Sequence, residues 1–186
     1  MNKIIKTLLA FTVAAALSAC SGMNVSSDYS EEVDFTQYKT FAFISDKPLL
    51  VAQTTPLNPL FEGRAMTAVR NELANKGFQF VEDREQADFV ISMTMGQRDK
   101  IRVNSYPSDY RTISAGGWNW GAPYHSEVDV RNYTEGTLAI DVFDVGARSP
   151  VWHGWATKTI SMADRRNPTP VINDVIKAIM AQFPPS

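Results

Sequence analysis

The chain has few residues of the types that bind metals or activate nucleophiles, and their spacing fits neither role. Its two histidines are His125 and His153. A metal site needs three or four ligands in a workable geometry, and Asp129, close to His125 in the sequence, could supply one more. The chain contains no His-Glu-x-x-His motif, no cysteine pair and no carboxylate-rich calcium loop. We therefore predict no metal site and interpret both histidines as polar residues of a half-exposed sheet.

Two aspartates, Asp141 and Asp144, suggest the carboxylate pair of a glycoside hydrolase. They belong to one predicted strand at odd spacing, so their side chains should point to opposite faces and cannot act on one bond. Asp144 is expected to begin a turn instead. The chain has no Gly-x-Ser-x-Gly elbow and no Gly-x-x-x-x-Gly-Lys loop, and Gly116, Gly117 and Gly121 lack dinucleotide-binding spacing. The sequence thus predicts a non-enzyme with no catalytic residues and no cofactor.

The cysteine has a more informative position. It follows a positively charged segment, an apolar run and two small residues, in the order of a secretory signal peptide. The apolar run is too short for a permanent membrane span. Leu17-Ser18-Ala19-Cys20 resembles the bacterial lipobox. That resemblance implies a signal peptide over residues 1–19 and acylation (palmitate) of Cys20. Ser21 replaces the Asp of inner-membrane retention signals, which implies a lipid anchor in the outer membrane, facing the periplasm. The alternative is a soluble secreted protein cut near Ala16 or Ala19.

Composition and charge exclude some partners. Without residues 1–19 the chain keeps 16 basic and 20 acidic residues, a net charge of about −4. Nucleic-acid binding normally needs a basic patch, and attraction to anionic lipid needs a polybasic segment. We therefore expect no nucleic-acid partner and no electrostatic attraction to anionic lipid. Because 44% of the residues are hydrophobic and 11% aromatic, we predict one globular domain over residues 33–186. Residues 20–32 are polar and small, and we interpret them as the lipidated cysteine and a flexible tether.

The hydrophobic pattern predicts an α+β domain. Strands are expected at residues 38–44, 78–81, 87–95, 137–145 and 151–160, and the third is expected to continue through Arg98, Lys100 and Arg102 with a solvated face. One helix should begin at Asn58-Pro59 and end at Gly77, and a second should begin at Thr169-Pro170. Alternation directs Phe89, Ile91, Met93 and Met95, and likewise Leu138, Ile140 and Val142, toward the core. The order β-α-β-β-β-β-α indicates a mainly antiparallel sheet with two helices packed on one face.

One long segment, residues 106–124, combines aromatic residues with glycine and proline. Its aromatic residues are Tyr106, Tyr110, Trp118, Trp120 and Tyr124. Exposed Trp and Tyr offer large, rigid contact areas for proteins or sugar rings, and long loops often carry function. Alternatively, Trp118 and Trp120 fold back over the sheet as part of the core. We take this segment as the candidate binding loop.

Several segments are similar to one family. Residues 34–42, 87–92, 133–144 and 151–156 resemble, as an ordered set, the domain-of-unknown-function 4136 family of bacterial envelope lipoproteins. The turn Gly146-Ala147-Arg148-Ser149-Pro150 departs from the Thr-Gly-Lys type turn of that family. The resemblance brings no established activity or site residues. The layout also looks like the amino-terminal domain of the periplasmic TolB protein, a likeness of fold alone.

These observations favour a non-catalytic structural or adaptor lipoprotein. The expected partners are the outer-membrane lipid, through acylated Cys20, and an envelope protein or peptidoglycan, through the aromatic loop. One alternative is a small-ligand carrier with a pocket between the sheet and loop 106–124. A further alternative is a cell-wall glycan hydrolase, which requires two carboxylates that converge within about 5–10 Å.

Overall fold

The computed structural model describes residues 22–51, 58–107 and 126–184, with the backbone alone described over 101–107 and 126–132. The described strands are β1 (Met23–Tyr29), β2 (Thr40–Phe43), β3 (Leu49–Val51), β4 (Gln79–Phe80), β5 (Phe89–Pro107), β6 (Ser126–Asp144) and β7 (Ser149–Ile160). The helices are α1 (Leu60–Asn75), α2 (Met162–Arg166) and α3 (Pro168–Met180), with a 3-10 turn at Phe35–Gln37. The fold is α+β, as the sequence predicts.

The strands form one mixed sheet in the order β1-β7-β6-β5-β2-β4, with β3 also paired to β5. The β1-β7, β7-β6 and β6-β5 pairings are antiparallel and long. The pairings of β2 and β3 with β5, and of β2 with β4, are parallel and short. The sheet is therefore antiparallel over most of its paired length, with a parallel extension at one side.

One face of the sheet packs against α1 and α3 and forms the core. The predicted inward residues of β5 and β6 are buried there (Phe89, Ile91, Met93, Met95, Leu138, Ile140, Val142). Helix α3 contributes Ile172, Ile176 and Ile179, which recur at helical spacing. Phe183, just beyond α3, is fully buried and contacts the ring of Trp152 at 5.2 Å between centroids.

The boundaries of α1 follow local chemistry. The Asn58 side chain accepts a hydrogen bond from the backbone N–H of Leu60 at 2.9 Å, which satisfies a helix-terminal donor. At the other end Gly77 adopts a φ of 92°, and the N–H groups of Gly77 and Phe78 bond back to Ala74 and Leu73. This is the left-handed helix ending that glycine favours. The predicted end at Gly77 is confirmed, whereas the helix begins at Leu60, with Pro59 and not Asn58 as the residue before its first turn.

The chain differs from the sequence prediction at its start. The prediction that Met23–Tyr29 belongs to a flexible tether is wrong, because this segment forms β1 and pairs along β7. Its side chains are mainly polar, so its stability comes from backbone pairing, with Met23 and Val25 packed against the core. Residues 1–21, which include the signal peptide and Cys20, lie outside the described residues.

Two smaller elements also escaped the sequence prediction. These are β3, which lies against β5, and α2, which a capping box of Ser161 and Asp164 begins. Strand β6 begins at Ser126, well before the predicted start at residue 137, and β5 continues past Arg102 to Pro107. These short or polar segments carry little hydrophobic periodicity, so the pattern did not reveal them.

Candidate functional site

Strands β5 and β6 extend past the rest of the sheet as a two-stranded ribbon. The last residue pair that β6 makes with β7 is Thr134 with Ile160. Beyond it, Lys100–Pro107 and Ser126–Tyr133 pair only with each other among the described strands. At about 3.3 Å per residue, this ribbon projects by roughly 25 Å. We call it the arm.

The arm carries the predicted binding loop. Tyr106 belongs to β5 near the end of the arm, and its side chain is not described. Tyr110, Trp118, Trp120 and Tyr124 lie outside the described residues, as does His125. The expectation that these aromatics form a binding loop therefore stays a prediction. Since Pro107 pairs with Ser126, the ends of this segment are adjacent in the sheet.

The first strand enters the sheet beside the base of the arm. Met23 pairs with Lys158, Lys158 pairs with Gly136, and Gly136 pairs with Gln97. This row crosses β1, β7, β6 and β5, and the arm begins three residues beyond it. The start of the described chain and the arm thus share one end of the sheet. Sequence spacing alone could not reveal this, because it depends on the register of four strands.

An ion cluster strengthens the base of the arm. Glu135 Oε2 lies 2.5 Å from Lys100 Nζ and 3.0 Å from an Arg98 guanidinium nitrogen. These residues belong to neighbouring strands on the face that carries no helix. The hydrogen bonds from Lys100 and Arg98 hold the pKa of Glu135 below its usual range. The carboxylate therefore stays charged and links β6 to β5 where the sheet narrows.

The helix-free face also carries a polar and aromatic cluster. His153 Nδ1 lies 2.5 Å from Asp141 Oδ1, and the His153 ring stacks on Trp155 with a centroid distance of 4.9 Å. Ser92 pairs with Asp141 in the register of β5 and β6. Across the sheet the aspartate thus stands between the serine and the histidine, whereas a nucleophilic triad needs the histidine in the middle. The cluster lacks the order of a catalytic triad.

Asp141 and Asp144 do not form a carboxylate pair. Asp141 contacts His153 on the helix-free face. Asp144 accepts a hydrogen bond from the Tyr38 hydroxyl at 2.6 Å and another from the N–H of Ala147 at 2.5 Å. Asp144 therefore holds the β6-β7 turn, as the sequence predicts. Burial, followed by the hydrogen bond to Asp144, raises the pKa of Tyr38, which keeps the phenol protonated.

An open apolar groove lies on the helix side, where the helix layer ends near the base of the arm. Its floor is formed by Met95, Leu138 and Ala156, and its walls by Phe61, Val171 and Val175. Its water-accessible volume is about 80 Å³. Gly136 and Lys158 stand at the side nearest Met23. Sequence reasoning missed this groove, since it expected a pocket between the sheet and loop 106–124, most of which lies outside the described residues.

Within residues 22–51, 58–107 and 126–184, no group of three or more His, Cys, Asp or Glu side chains is arranged to hold a metal ion. No described helix has the length and apolar character needed to cross a membrane.

Comparison with known proteins identifies a family model and several similar folds. The model of DUF4136, a domain of unknown function, matches residues 25–185. No curated protein matches the chain. A crystal structure of a DUF4136 family protein from Bacteroides thetaiotaomicron is 16% identical, covers 88% of this chain and 97% of its own, and has a TM-score of 0.57. At that identity the likeness shows the fold alone.

Two other solved structures are less similar. The PelC dodecamer from Paraburkholderia phytofirmans is 13% identical, with a TM-score of 0.49, and the match covers 86% of this chain and 96% of PelC. A putative neuraminyllactose-binding hemagglutinin homolog from Helicobacter pylori is 12% identical, with a TM-score of 0.43, over 83% and 84% of the two chains. The likeness to the TolB amino-terminal domain is not among these findings and stays a prediction.

Proposed function

The chain belongs to the DUF4136 family, and from this premise we propose that it is a non-catalytic adaptor lipoprotein of the outer membrane. Cys20 holds it in the periplasmic leaflet through acyl chains. The arm and its aromatic loop bind an envelope component, either a protein or peptidoglycan. The observation that carries this proposal is that β1 enters the sheet at the same end from which the arm projects.

Because β1 and the arm share one end of the sheet, the proposed lipid anchor and the proposed binding element lie at the same end of the domain. Cys20 precedes Met23 by three residues, so its Cα lies within about 11 Å of that of Met23. Because Met23–Tyr29 is a paired strand, the tether is much shorter than the sequence predicts. A short tether holds the domain close to the membrane and keeps the arm in the space near the bilayer. This arrangement suits an adaptor that binds a component next to the membrane.

The arm suits binding to a partner. Among the described strands, each strand of the arm is paired on one side only, and strand edges of this kind readily pair with another chain. Tyr and Trp at the turn would add contact area at small entropic cost. Backbone pairing would supply affinity, and the aromatics would supply specificity.

A small-ligand carrier is the second candidate function, and the apolar groove favours it. The groove lies between the sheet and the helices, whereas the carrier hypothesis located its pocket under loop 106–124. Glycan hydrolysis receives no support from the one carboxylate pair that the sequence suggested, because Asp141 and Asp144 make their contacts on opposite faces.

The anchor is tested by fractionation of cells that express the full-length chain. The account expects the wild-type protein in the outer-membrane fraction, with its N-terminal peptide carrying acyl chains on Cys20 by mass spectrometry. Cys20→Ser should abolish the acyl mass and release the protein from that fraction. Ser21→Asp is the informative companion, because it should keep the acyl mass but move the protein to the inner membrane. A wild-type chain with unmodified Cys20 would contradict the proposal.

A further inference from the structure

A crevice opens on the helix-free face, at the opposite end of the sheet from the arm. It lies between the segment that links β4 to β5 and the turn that links β6 to β7, and its water-accessible volume is about 270 Å³. A cavity of about 150 Å³ holds benzene, so this crevice has room for one large side chain. Ten residues of β5 separate Val90 from Lys100, where the arm begins, a distance of roughly 33 Å. The crevice and the arm are therefore separate sites.

The floor of the crevice is apolar. It is formed by four residues from the end of β2, from β5, and from β6 with the turn that follows it (Ile44, Val90, Phe143, Val145). Three of them pack with Ala42 and Ala87 in a small apolar cluster separate from the main core. Ile44 is 39% exposed. Apolar surface left open to water costs free energy in proportion to its area, so this floor favours an apolar occupant.

Hydrogen bonds hold the two segments that frame the crevice. Arg84 Nη1 donates to the backbone carbonyl of Ile44 at 3.0 Å, which ties the β4-β5 segment to the end of β2. The N–H of Val145 donates to the backbone carbonyl of Asp88 at 3.1 Å, which ties the β6-β7 turn to the same segment. The crevice is thus preformed, and an occupant does not need to order either segment before it binds.

Two arginines line the crevice, one from each framing segment. The ion pair between Arg84 and Asp46 is 3.4 Å long and involves a fully exposed carboxylate, so it contributes little. The Arg148 side chain makes no hydrogen bond or ion pair with any other residue in the described part of the chain. Guanidinium groups bind carboxylates through paired N–H donors. The crevice therefore offers two partners to a carboxylate on the ligand.

The backbone at Arg148 indicates that folding does not account for this arginine. Its φ is 52°, in the left-handed region that glycine adopts freely and that disfavours residues with a Cβ. Its guanidinium group forms no contact with described residues that would offset this strain. Strained residues concentrate at sites of function. The position of Arg148 at the crevice thus favours a role in binding.

Two acidic residues at the crevice narrow the choice of ligand. The two oxygens of Asp144 already accept hydrogen bonds from Tyr38 and Ala147. The exposed Glu85 carboxylate has no such partner among the described residues. It repels a bare anion, but it can accept a hydrogen bond from an N–H group of the ligand. The last residue of a peptide presents an N–H group, a carboxylate and a side chain together.

We propose that this crevice binds the carboxyl-terminal residue of a peptide or protein, where that residue has an apolar side chain. The side chain lies on the apolar floor, and the terminal carboxylate lies between Arg84 and Arg148. The last peptide N–H faces Glu85, and the preceding residues leave through the open side of the crevice. This site requires neither the arm nor the lipid anchor, so the proposed function and this inference stand or fall separately.

The test is an NMR titration of the full-length chain labelled with ¹³C at its isoleucine and valine methyl groups. The probes are acetylated tripeptides that end in leucine or phenylalanine, each as the free acid and as the carboxamide. We expect the free acids to shift the methyl signals of Ile44, Val90 and Val145 in a saturable manner and to leave the core residue Ile179 unchanged. The carboxamides should bind at least tenfold more weakly, because they lack the charge that the arginines recognise. Acids that shift none of the three signals, or amides that bind as tightly as the acids, would overturn the inference.

Octanoate distinguishes a peptide from a fatty acid, the other source of a carboxylate on an apolar group. It carries no N–H group for Glu85, and its chain is longer than the floor residues can cover. We expect octanoate to bind at least fivefold more weakly than the peptide acids in the same titration. Equal or tighter binding of octanoate would show that the crevice does not recognise a peptide.

Variants of Arg148 separate binding from folding. Arg148→Gly removes the guanidinium group and relieves the strained φ, so it should raise the melting temperature while it weakens peptide binding at least fivefold. Arg148→Gln should weaken binding to a similar extent. Arg166→Gln is the matched control, since it removes the same charge from an exposed position in α2 and should leave the affinity unchanged. Wild-type affinity in Arg148→Gly, or equal losses in both glutamine variants, would contradict the assignment of Arg148.

Discussion

Trp152 occupies the space above Gly154, its neighbour on the helix-covered face of β7. A Cβ added at Gly154 would lie 2.6 Å from Trp152 Cζ2 and 2.9 Å from Ile179 Cγ2. Trp152 is buried and packs against Phe183, so neither ring can move without disturbing the core. The glycine is therefore required by packing and not by backbone conformation.

The first prediction follows from this contact. Gly154→Ala should lower the free energy of unfolding by about 1–3 kcal/mol, because an overpacked core forces side chains and backbone apart. Gly63→Ala is the matched control, since a Cβ at that position in α1 meets nothing within 4 Å. It should raise stability by about 0.5–1 kcal/mol, because alanine favours the helix. Denaturant unfolding measures both, and equal effects would contradict the packing described for Trp152.

Asp88 gives a prediction about acid stability. Its Oδ2 accepts the N–H groups of Lys39 and Thr40, each at 2.8 Å, and the Thr40 hydroxyl at 2.9 Å. Burial acts to raise the pKa of Asp88, but these hydrogen bonds outweigh it and the net pKa is lowered. Asp88→Ala should cost about 1–3 kcal/mol near neutral pH, because it removes three hydrogen bonds, two of them partly buried.

The pH dependence of that cost has a definite sign. A carboxyl whose pKa is lower in the folded state stabilises the protein above its unfolded pKa, about 3.9, and loses this contribution as the pH falls through the folded value. The difference between wild type and Asp88→Ala should therefore be full at pH 7 and shrink below about pH 4. Asp46→Ala, which removes only an exposed 3.4 Å pair with Arg84, should have little effect at either pH. A constant difference across this range would contradict the role of the charged carboxylate.

Strand β1 makes a third prediction. Val25 faces the core and Asn24 faces away from it. Val25→Asp should destabilise the domain by about 1–3 kcal/mol, since it places a polar group against apolar neighbours. Asn24→Asp introduces the same side chain on the exposed side and should change stability by less than about 0.5 kcal/mol. If the two variants behaved alike in thermal unfolding, residues 23–29 would be a tether after all.

The sequence revealed those parts of the fold that carry their own periodicity. The alternation of Phe89, Ile91 and Met93 predicted the core face of β5, and Gly77 predicted the end of α1. Strand β1 could not be predicted in this way, because its stability comes from pairing with β7 and its side chains are polar. The apolar groove and the shared end of β1 and the arm could not be predicted either. Both depend on which residues of distant strands stand side by side, and single-strand patterns do not encode that register.

The central claim is that the aromatic loop on the arm contacts an envelope component while Cys20 holds the protein at the membrane. Its most direct test is photo-crosslinking in living cells, with a photoreactive residue at Trp118 and, as a control, at Lys76. Lys76 is exposed and follows α1 at the end away from the groove and the arm. The account predicts discrete products from position 118 alone, either a protein band or material retained on the sacculus. Anchored and folded protein that gives no product at position 118, or the same products at both positions, would contradict it.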